Sequence, residues 1–185
     1  MFDSQKYWET RYKNKGNSGD GSYGKDANLK SNYINQIIKK YNIKTINDYG
    51  HGDGNQLSLI NGFETYYGYD VSETIRNLCI SKFKDRKKYT FIDEPSKFIK
   101  CDLSMSLDVI YHIVEEDIYY SYLKTLFNIG NYVLIYGVDS DKSNMSHYKA
   151  RKFTQYVANT FPNFELIETN NILHKHVAMY LYKSK

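Results

Sequence analysis

Apolar and polar positions alternate along the chain with two periods, one typical of helices and one of buried strands. Helical spacing predicts helices at Asp3–Lys13, Asn28–Tyr41, Asn55–Ile60, Ser72–Phe83, Glu115–Phe127 and Ser146–Phe161. Short apolar runs between turn residues predict strands at Ile43–Asp48, Glu64–Asp70, Tyr89–Ile92, Asp102–Leu107 and Tyr132–Val138, with two more at Phe164–Glu168 and Val177–Tyr182. Strands and helices therefore alternate through most of the chain.

This alternation predicts an α/β fold, with a mostly parallel sheet covered by helices on both faces. The last two predicted strands are separated by only a short turn region, so they are expected to pair as an antiparallel hairpin. The 185 residues show no internal repeat and no break in composition, which predicts a single domain. Residues 1–27 are its N-terminal helix and loop, and residues 28–185 are its core.

The segment Asn14–Lys25 is rich in Gly, Ser and Asn and is predicted to be a loop. Two interpretations remain open from composition. The loop is either a flexible connector, which composition alone favours, or a lid over a binding pocket, with Tyr23 as its stacking residue.

Composition and charge narrow the class of protein. Hydrophobic content of 41% and charged content of 25% are ordinary for a globular chain, and no window is apolar for long enough to span a membrane. The formal charge of +4 permits an anionic acceptor but does not by itself indicate nucleic acid. The two cysteines form no C-x-x-C motif and the N-terminus is polar, so we expect a cytoplasmic protein.

The most informative stretch begins where the first predicted strand ends. Asp48 is followed by Gly50, Gly52 and Gly54, which let the backbone turn sharply and allow a ligand to lie against the main chain. A dinucleotide-binding fingerprint would need glycine where Asn55 stands. The pattern D-x-G-x-G-x-G instead resembles motif I of the class I S-adenosylmethionine (SAM)-dependent methyltransferases.

For SAM as the ligand, the residue types suggest specific partners. Asp48 can attract the ammonium group, and free N–H groups with the helix start after Gly54 can face the carboxylate. Asp70, at the end of the second strand, is placed to accept both ribose hydroxyls. Asp48 and Asp70 could instead cap the turns that follow them. Asp93 could accept from the adenine amino group, or could be a turn residue before Pro95.

A second informative stretch runs from Cys101 to Asp117. Asp108 ends a predicted strand, and Tyr111 and His112 fall in the following turn, where ligands of open α/β sheets bind. Methyl transfer to an oxygen requires removal of a proton, and the ordinary pKa of histidine lies near neutrality. We therefore predict His112 as the base, with Asp108 second. The alternative is that His112 only hydrogen-bonds the turn.

The likeness to class I methyltransferases, of a small bacterial-type group, extends over most of the chain. It includes the segments YWETRYKNKGNSGDGSYG, YYGYDVSETI and MSLDVIYHIVEEDIYYSYLKTLF. It implies a seven-stranded Rossmann-like sheet and a GNSGDGSYG loop that folds over the pocket. His51 stands where relatives usually carry a small residue. The residues expected from the likeness to lie near SAM are Asp48, Gly50, Gly52, Asp53, Gln56, Asp70 with the adjoining Val71, and Ser106, Leu107 and Asp108.

The predicted function is methyl transfer from SAM, leaving S-adenosyl-L-homocysteine (SAH), to an oxygen or less readily a nitrogen of a small molecule or sugar. The absence of an [ND]-P-P-[YFW] motif disfavours methylation of base amines. The acceptor would meet the N-terminal segment, the Tyr111–His112 turn and the loop Asp139–Asn144. An RNA or protein methyltransferase and a non-catalytic SAM-binding subunit remain alternatives. No metal site is expected, because His174 and His176 have no further ligands nearby in sequence. The oligomeric state stays open.

Overall fold

The computed structural model describes residues 2–142, 147–174 and 177–185, and for residues 172–174 it describes the backbone alone. A seven-stranded sheet with the strand order β3-β2-β1-β4-β5-β7-β6 forms its centre. Strands β1 to β5 pair in parallel, and β7 runs antiparallel to both of its neighbours. The predicted α/β fold with a C-terminal hairpin is therefore confirmed. The strands are β1 Thr45–Tyr49, β2 Thr65–Tyr69, β3 Tyr89–Phe91, β4 Cys101–Leu107, β5 Gly130–Gly137, β6 Phe164–His174 and β7 Val177–Ser184.

Helices cover both faces of the sheet, as the pattern predicts. The helices are α1 Ser4–Lys13, α2 Gly24–Lys40, α3 Glu73–Lys82, α4 Glu116–Ile129 and α5 Phe153–Thr160. Alternate residues of β5 separate the two cores, because successive side chains of a strand point to opposite faces. Leu134 packs in the core under α2 and α3, whereas Val133 and Ile135 pack in the core under α4 and α5.

Two predicted helices differ from the structure. In place of a helix over Asn55–Ile60 there is only a three-residue 3₁₀ turn, Leu57–Leu59, after which Ile60 is extended. The helix predicted over Ser146–Phe161 begins only at Phe153, and Ser146 lies outside the described residues. Its first turn is fixed by Asp139, whose carboxylate accepts from the backbone N–H and the hydroxyl of Thr154. This cap from a distant loop is not visible in the local sequence pattern.

The N-terminal helix α1 is attached to the core at both ends. Asp3 caps it by accepting from the backbone N–H of Lys6. Ser4 donates through its backbone N–H and hydroxyl to Glu115, and Glu9 accepts from the hydroxyls of Ser72 and Thr74. These contacts hold α1 across the ends of the strands. No helix in the described part of the chain is long and apolar enough to cross a membrane.

Candidate active site

A cavity of about 240 Å³ lies at the carboxyl ends of β1, β2 and β4, beneath α1 and the loop that follows it. This is the position at which open α/β sheets bind ligands. The predicted site residues that line it are Asp48, Gly50, Gly52, Gln56, Asp70, Val71, Leu107, Asp108 and His112. The predicted residues that are not part of its lining are Tyr23, Asp53, Gly54, Asp93, Ser106 and Tyr111.

Two buried side-chain oxygens in the cavity wall lack a hydrogen-bond partner among the described residues. Asp48 accepts from the hydroxyl of Tyr66 at 2.9 Å through Oδ2, while its Oδ1 is unpaired. Burial raises the pKa of Asp48 to about 7. Gln56 donates its amide N–H groups to Ala27 and Ser31, which leaves its Oε1 unpaired. Unpaired buried acceptors are costly, so these atoms fit a ligand that carries a cationic donor such as an ammonium group.

The backbone conformation of the turn after β1 favours glycine at three positions. Gly50, Gly52 and Gly54 have φ values of 98°, 57° and 69°, which side chains other than glycine rarely adopt. A Cβ on Gly50 would lie 2.5 Å from a methyl group of Val109, and one on Gly52 would meet Ser18. The side on which a Cβ would project is therefore occupied by the protein, while Gly50 and Gly52 themselves line the cavity. That a ligand lies against their main chain stays a prediction.

Part of the expectation about free N–H groups and a helix dipole is wrong, because the α-helix expected after Gly54 is absent and the N–H groups of residues 50–55 have partners in the protein. Gly50 and His51 donate their N–H groups to the carbonyl of Tyr69, and Gly52 donates to Asp70. Further along the turn, Asp53 donates to Ser18, Gly54 to the carbonyl of His51, and Asn55 to the carboxylate of Asp53. The short 3₁₀ turn that follows provides no helix N-terminus comparable to that of an α-helix.

The cation that can replace these groups is Lys30 of α2. Among the described residues that line the cavity, it is the one lysine or arginine. Lys30 is 1% exposed, forms an ion pair with Asp108 and lies 5.0 Å from the ring centre of Tyr136. Sequence reasoning missed it because it sits on the apolar face of a helix. A charged residue at a core-facing helical position is the signal that could have found it.

Asp70 occupies the end of β2, as predicted, and its carboxylate is held in place by the backbone. Oδ2 accepts from Gly52 N–H at 3.0 Å and Oδ1 accepts from Ser72 N–H at 3.0 Å. Each carboxylate oxygen can accept a second hydrogen bond. The same group therefore fixes the glycine turn, as the capping alternative expects, and retains capacity for a ligand diol.

The loop between α1 and α2 lies over the glycine turn and is fastened there by Asp53. Asp53 Oδ2 accepts from Ser18 N–H at 2.9 Å and from the hydroxyl of Tyr23 at 2.6 Å. Although burial opposes it, these hydrogen bonds lower the pKa of Asp53. Ser18 and Ser22 line the cavity. Asp53 and Tyr23 thus hold the loop, and neither forms part of the cavity wall in this structure.

The remaining predicted residues outside the lining have other contacts. Asp93 is exposed and pairs with Lys97 at 2.7 Å, beyond the cavity. The Ser106 hydroxyl is buried against the hydroxyl of Tyr122, at 2.7 Å. Gly54 packs against Phe83. These contacts give Asp93 and Ser106 structural partners, while their predicted contacts to SAM stay predictions.

Both carboxylate oxygens of Asp108 have a partner in the protein. Asp108 ends β4 with a φ of 62°, which is unusual for a residue with a side chain. Its Oδ2 pairs with Lys30, and its Oδ1 accepts from the hydroxyl of Tyr111 at 2.5 Å. Burial and the neighbouring carboxylate raise the pKa of Tyr111 well above its usual value, so this phenol is a neutral donor. Asp108 is therefore suited to positioning charge rather than to accepting a proton.

His112 lies in the cavity wall with one ring nitrogen directed at the protein. Its Nδ1 is 3.3 Å from the carbonyl oxygen of His147, which can only accept, so Nδ1 carries the proton. This tautomer leaves Nε2 as the basic nitrogen. Burial lowers the pKa of His112, which keeps the ring neutral at pH 7. Trp8 packs edge-on against it, with ring centres 5.1 Å apart.

The other histidines do not form a metal site among the residues described. His51 contacts the carbonyl of Gly52 at 2.7 Å through Nδ1 and packs against Phe91, so its ring is buried beside the turn. No group of three or more potential metal ligands is present in the described part of the chain. His176 lies outside the described residues, and only the backbone of His174 is described.

Comparisons with known proteins identify the fold. No protein-family model matches the chain, and no curated protein sequence is similar to it. Among solved structures, it is similar to the methyltransferase domain of bacterial CtHen1-C, with a TM-score of 0.65 and 19% identity over 85% of this chain and 97% of that one.

Two further solved structures cover nearly the whole chain. Magnesium protoporphyrin IX methyltransferase (ChlM) from Synechocystis PCC 6803, with bound SAM, gives a TM-score of 0.72 at 13% identity and covers 100% of this chain and 99% of that one. The N-methyltransferase NodS from Bradyrhizobium japonicum WM9, in complex with SAH, gives 0.74 at 8% identity and covers 99% of each chain. The chain therefore has the fold of the class I SAM-dependent methyltransferases.

Proposed function

We propose that this protein is a SAM-dependent methyltransferase that methylates an oxygen, or less readily a nitrogen, of a small molecule or sugar. One observation carries the proposal. The cavity is lined by the unpaired acceptors of Asp48 and Gln56, by the carboxylate of Asp70 and by the neutral imidazole of His112. The fold shared with ChlM and NodS, whose structures contain SAM and SAH, supports the same cofactor.

The charges of the cavity complement those of SAM. The buried carboxylate of Asp48 matches the ammonium group, and Lys30 matches the carboxylate that the glycine turn leaves without N–H donors. Asp108, which Lys30 holds, matches the positive sulfonium. Asp70 is proposed to accept the ribose hydroxyls. Opposite charges paired in this order would orient the methyl group, and positioning supplies most of the rate in such displacements.

The proposed chemistry divides between cofactor and protein. SAM supplies a methyl group on positively charged sulfur and leaves as SAH. The acceptor oxygen forms the new bond to carbon while the carbon–sulfur bond breaks with its electron pair on sulfur. His112 Nε2 takes the hydroxyl proton, because Nδ1 already donates to the carbonyl of His147.

A second candidate is methylation of RNA. The exposed segment 84–88 carries four cations and one carboxylate, and the formal charge of the chain is +4. A solved neighbour with a TM-score of 0.63, at 12% identity, is a putative RNA methyltransferase, PH1948 from Pyrococcus horikoshii. RNA affinity that falls steeply with salt concentration would favour this candidate.

The proposal is tested by binding and by transfer. SAM and SAH are expected to bind in calorimetry, and label from methyl-labelled SAM is expected to enter a metabolite fraction rather than RNA or protein. If neither SAM nor SAH binds, the proposal is wrong. Binding without transfer to any fraction would support the non-catalytic alternative. We place the reaction in the cytoplasm, as predicted, because Cys79 and Cys101 are both free, buried thiols.

A further inference from the structure

The part of the cavity that remains for the acceptor is mainly apolar. Beyond the residues assigned to SAM, its lining contains one indole, two imidazoles and several aliphatic side chains, besides serines, tyrosines and Gln5. Trp8 comes from α1, and Val109 and Ile113 come from the segment after β4. Ile118 of α4 stands at the rim, where 52% of it is exposed. These apolar side chains can contact the ring faces and hydrocarbon edges of an acceptor.

Two hydroxyls around this wall, those of Ser4 and Tyr122, already have partners in the protein. The Ser4 hydroxyl contacts the carbonyl of His112 at 2.9 Å and a carboxylate oxygen of Glu115 at 2.7 Å. The Tyr122 hydroxyl is within 2.6 Å of the carbonyl of Tyr49 and 2.7 Å of the Ser106 hydroxyl. A sugar needs many hydrogen-bond partners to replace water, and these two hydroxyls are already engaged.

The charged side chains of the described lining also restrict the acceptor. Its charged side chains are Asp48, Asp70, Lys30 and Asp108. Asp70 is held by backbone N–H groups, and Lys30 and Asp108 pair with each other. A carboxylate or phosphate on the acceptor would therefore enter the cavity without a counterion of its own. Burial of an unpaired charge is strongly unfavourable.

We infer that the acceptor is an uncharged aromatic compound with a ring hydroxyl, bound against Trp8 and Ile118. This inference rests on the proposed function. The ring hydroxyl points to His112 Nε2, which takes its proton as the oxygen–methyl bond forms and the methyl–sulfur bond breaks. The products are the methyl ether, SAH and a protonated His112, which returns its proton to water.

The chain provides its own reporter for this inference. Trp8 is the sole tryptophan and it lines the cavity, so its fluorescence reports acceptor binding without turnover. SAH-loaded protein is titrated with 4-methylcatechol, with 3,4-dihydroxybenzoate, which carries a carboxylate in place of the methyl group, and with methyl α-glucoside. We expect 4-methylcatechol to bind at least about tenfold more tightly than the carboxylate analogue and the glucoside, the factor that one uncompensated interaction produces.

A positive charge introduced at the rim tests the same inference, because it should weaken the preference for an uncharged acceptor. In Ile118→Lys the new cation can pair with the carboxylate of 3,4-dihydroxybenzoate, so the preference for 4-methylcatechol should fall about tenfold. Ile80→Lys is the matched control, because Ile80 is an isoleucine of similar exposure, 49%, on α3 and outside the cavity lining. It should leave the preference unchanged.

The possible outcomes separate the two proposals. Calorimetry with SAH is done first, and absence of binding there contradicts the proposed function itself. If SAH binds but 4-methylcatechol does not change Trp8 fluorescence, the inference is wrong while the proposed function stands. Tighter binding or faster methylation of the carboxylate analogue or of the glucoside would overturn it as well.

Discussion

The two halves of the cavity are built in different ways. The half assigned to SAM comes mainly from two short continuous stretches at the ends of β1 and β2, to which α2 adds Lys30 and the end of β4 adds Asp108, and it is polar and largely buried. The half assigned to the acceptor combines α1, the segment after β4 and the start of α4, and it is mainly apolar. Ser4 and Glu115, far apart in the sequence, join these pieces by hydrogen bonds. The comparison teaches that a local motif can supply much of a cofactor site, whereas an acceptor site depends almost entirely on how distant segments pack.

The largest expected effect is a loss of catalytic rate in a variant of the acceptor half, with little change in SAH binding. His112→Gln should lower kcat about 100-fold or more, because general-base catalysis contributes factors of about this size. SAH affinity should change by no more than about twofold, since the imidazole belongs to the acceptor half. The reaction is measured at saturating acceptor, with SAH binding followed by calorimetry.

The pH profile sharpens this prediction. Burial lowers the pKa of His112, so the ring should stay neutral as pH falls from 8 to its ordinary pKa, and the wild-type rate should drop only below that range. Loss of SAH binding in His112→Gln, with an unchanged rate in saturated enzyme, would place the side chain in the cofactor half instead.

Asp70→Ala should produce the largest loss in the cofactor half. Removal of a carboxylate that accepts two ribose hydroxyls is expected to weaken SAH binding about 100-fold, or roughly 3 kcal/mol. Asp93→Ala is the matched control, since Asp93 is exposed, pairs with Lys97 and lies outside the cavity lining. A loss of similar size in both variants would restore the predicted adenine contact of Asp93.

Lys30→Met tests whether Lys30, rather than backbone N–H groups of the glycine turn, binds the carboxylate of SAM and SAH. SAH affinity should fall about 30-fold, the value of a charge-assisted hydrogen bond of roughly 2 kcal/mol. Affinity for 5′-methylthioadenosine, which has no carboxylate, should be unchanged. The double variant Lys30→Met/Asp108→Asn avoids an unpaired Asp108 and separates binding from folding. Equal losses for both ligands would argue against contact with the carboxylate.

The smallest expected effect is a pH dependence of SAH binding. Burial raises the pKa of Asp48 to about 7, and the ammonium group requires the ionised form. SAH affinity should therefore rise about tenfold between pH 6 and pH 7.5 and then level off. Asp48→Asn should remove the dependence, whereas Asp102→Asn, at a carboxylate outside the lining, should keep it.

The same group gives the opposite trend in stability. Because the folded state holds the Asp48 proton more tightly than the unfolded chain, free protein should lose stability as pH rises from the ordinary aspartate pKa to about 7. Thermal unfolding without ligand measures this trend. An SAH affinity that falls as pH rises through the same range would contradict the assignment of Asp48 to the ammonium group.

Sequence alone determined the sheet, its hairpin and the carboxylates Asp48 and Asp70, because strand periods and a glycine turn are local patterns. Tertiary structure decided the rest. It showed that Asp53, an expected SAM contact, also holds the loop, and it placed Val109 against Gly50. It also brought Lys30 into the cavity. These outcomes depend on contacts between residues far apart in the chain, and no local period encodes which distant side chain fills a given space.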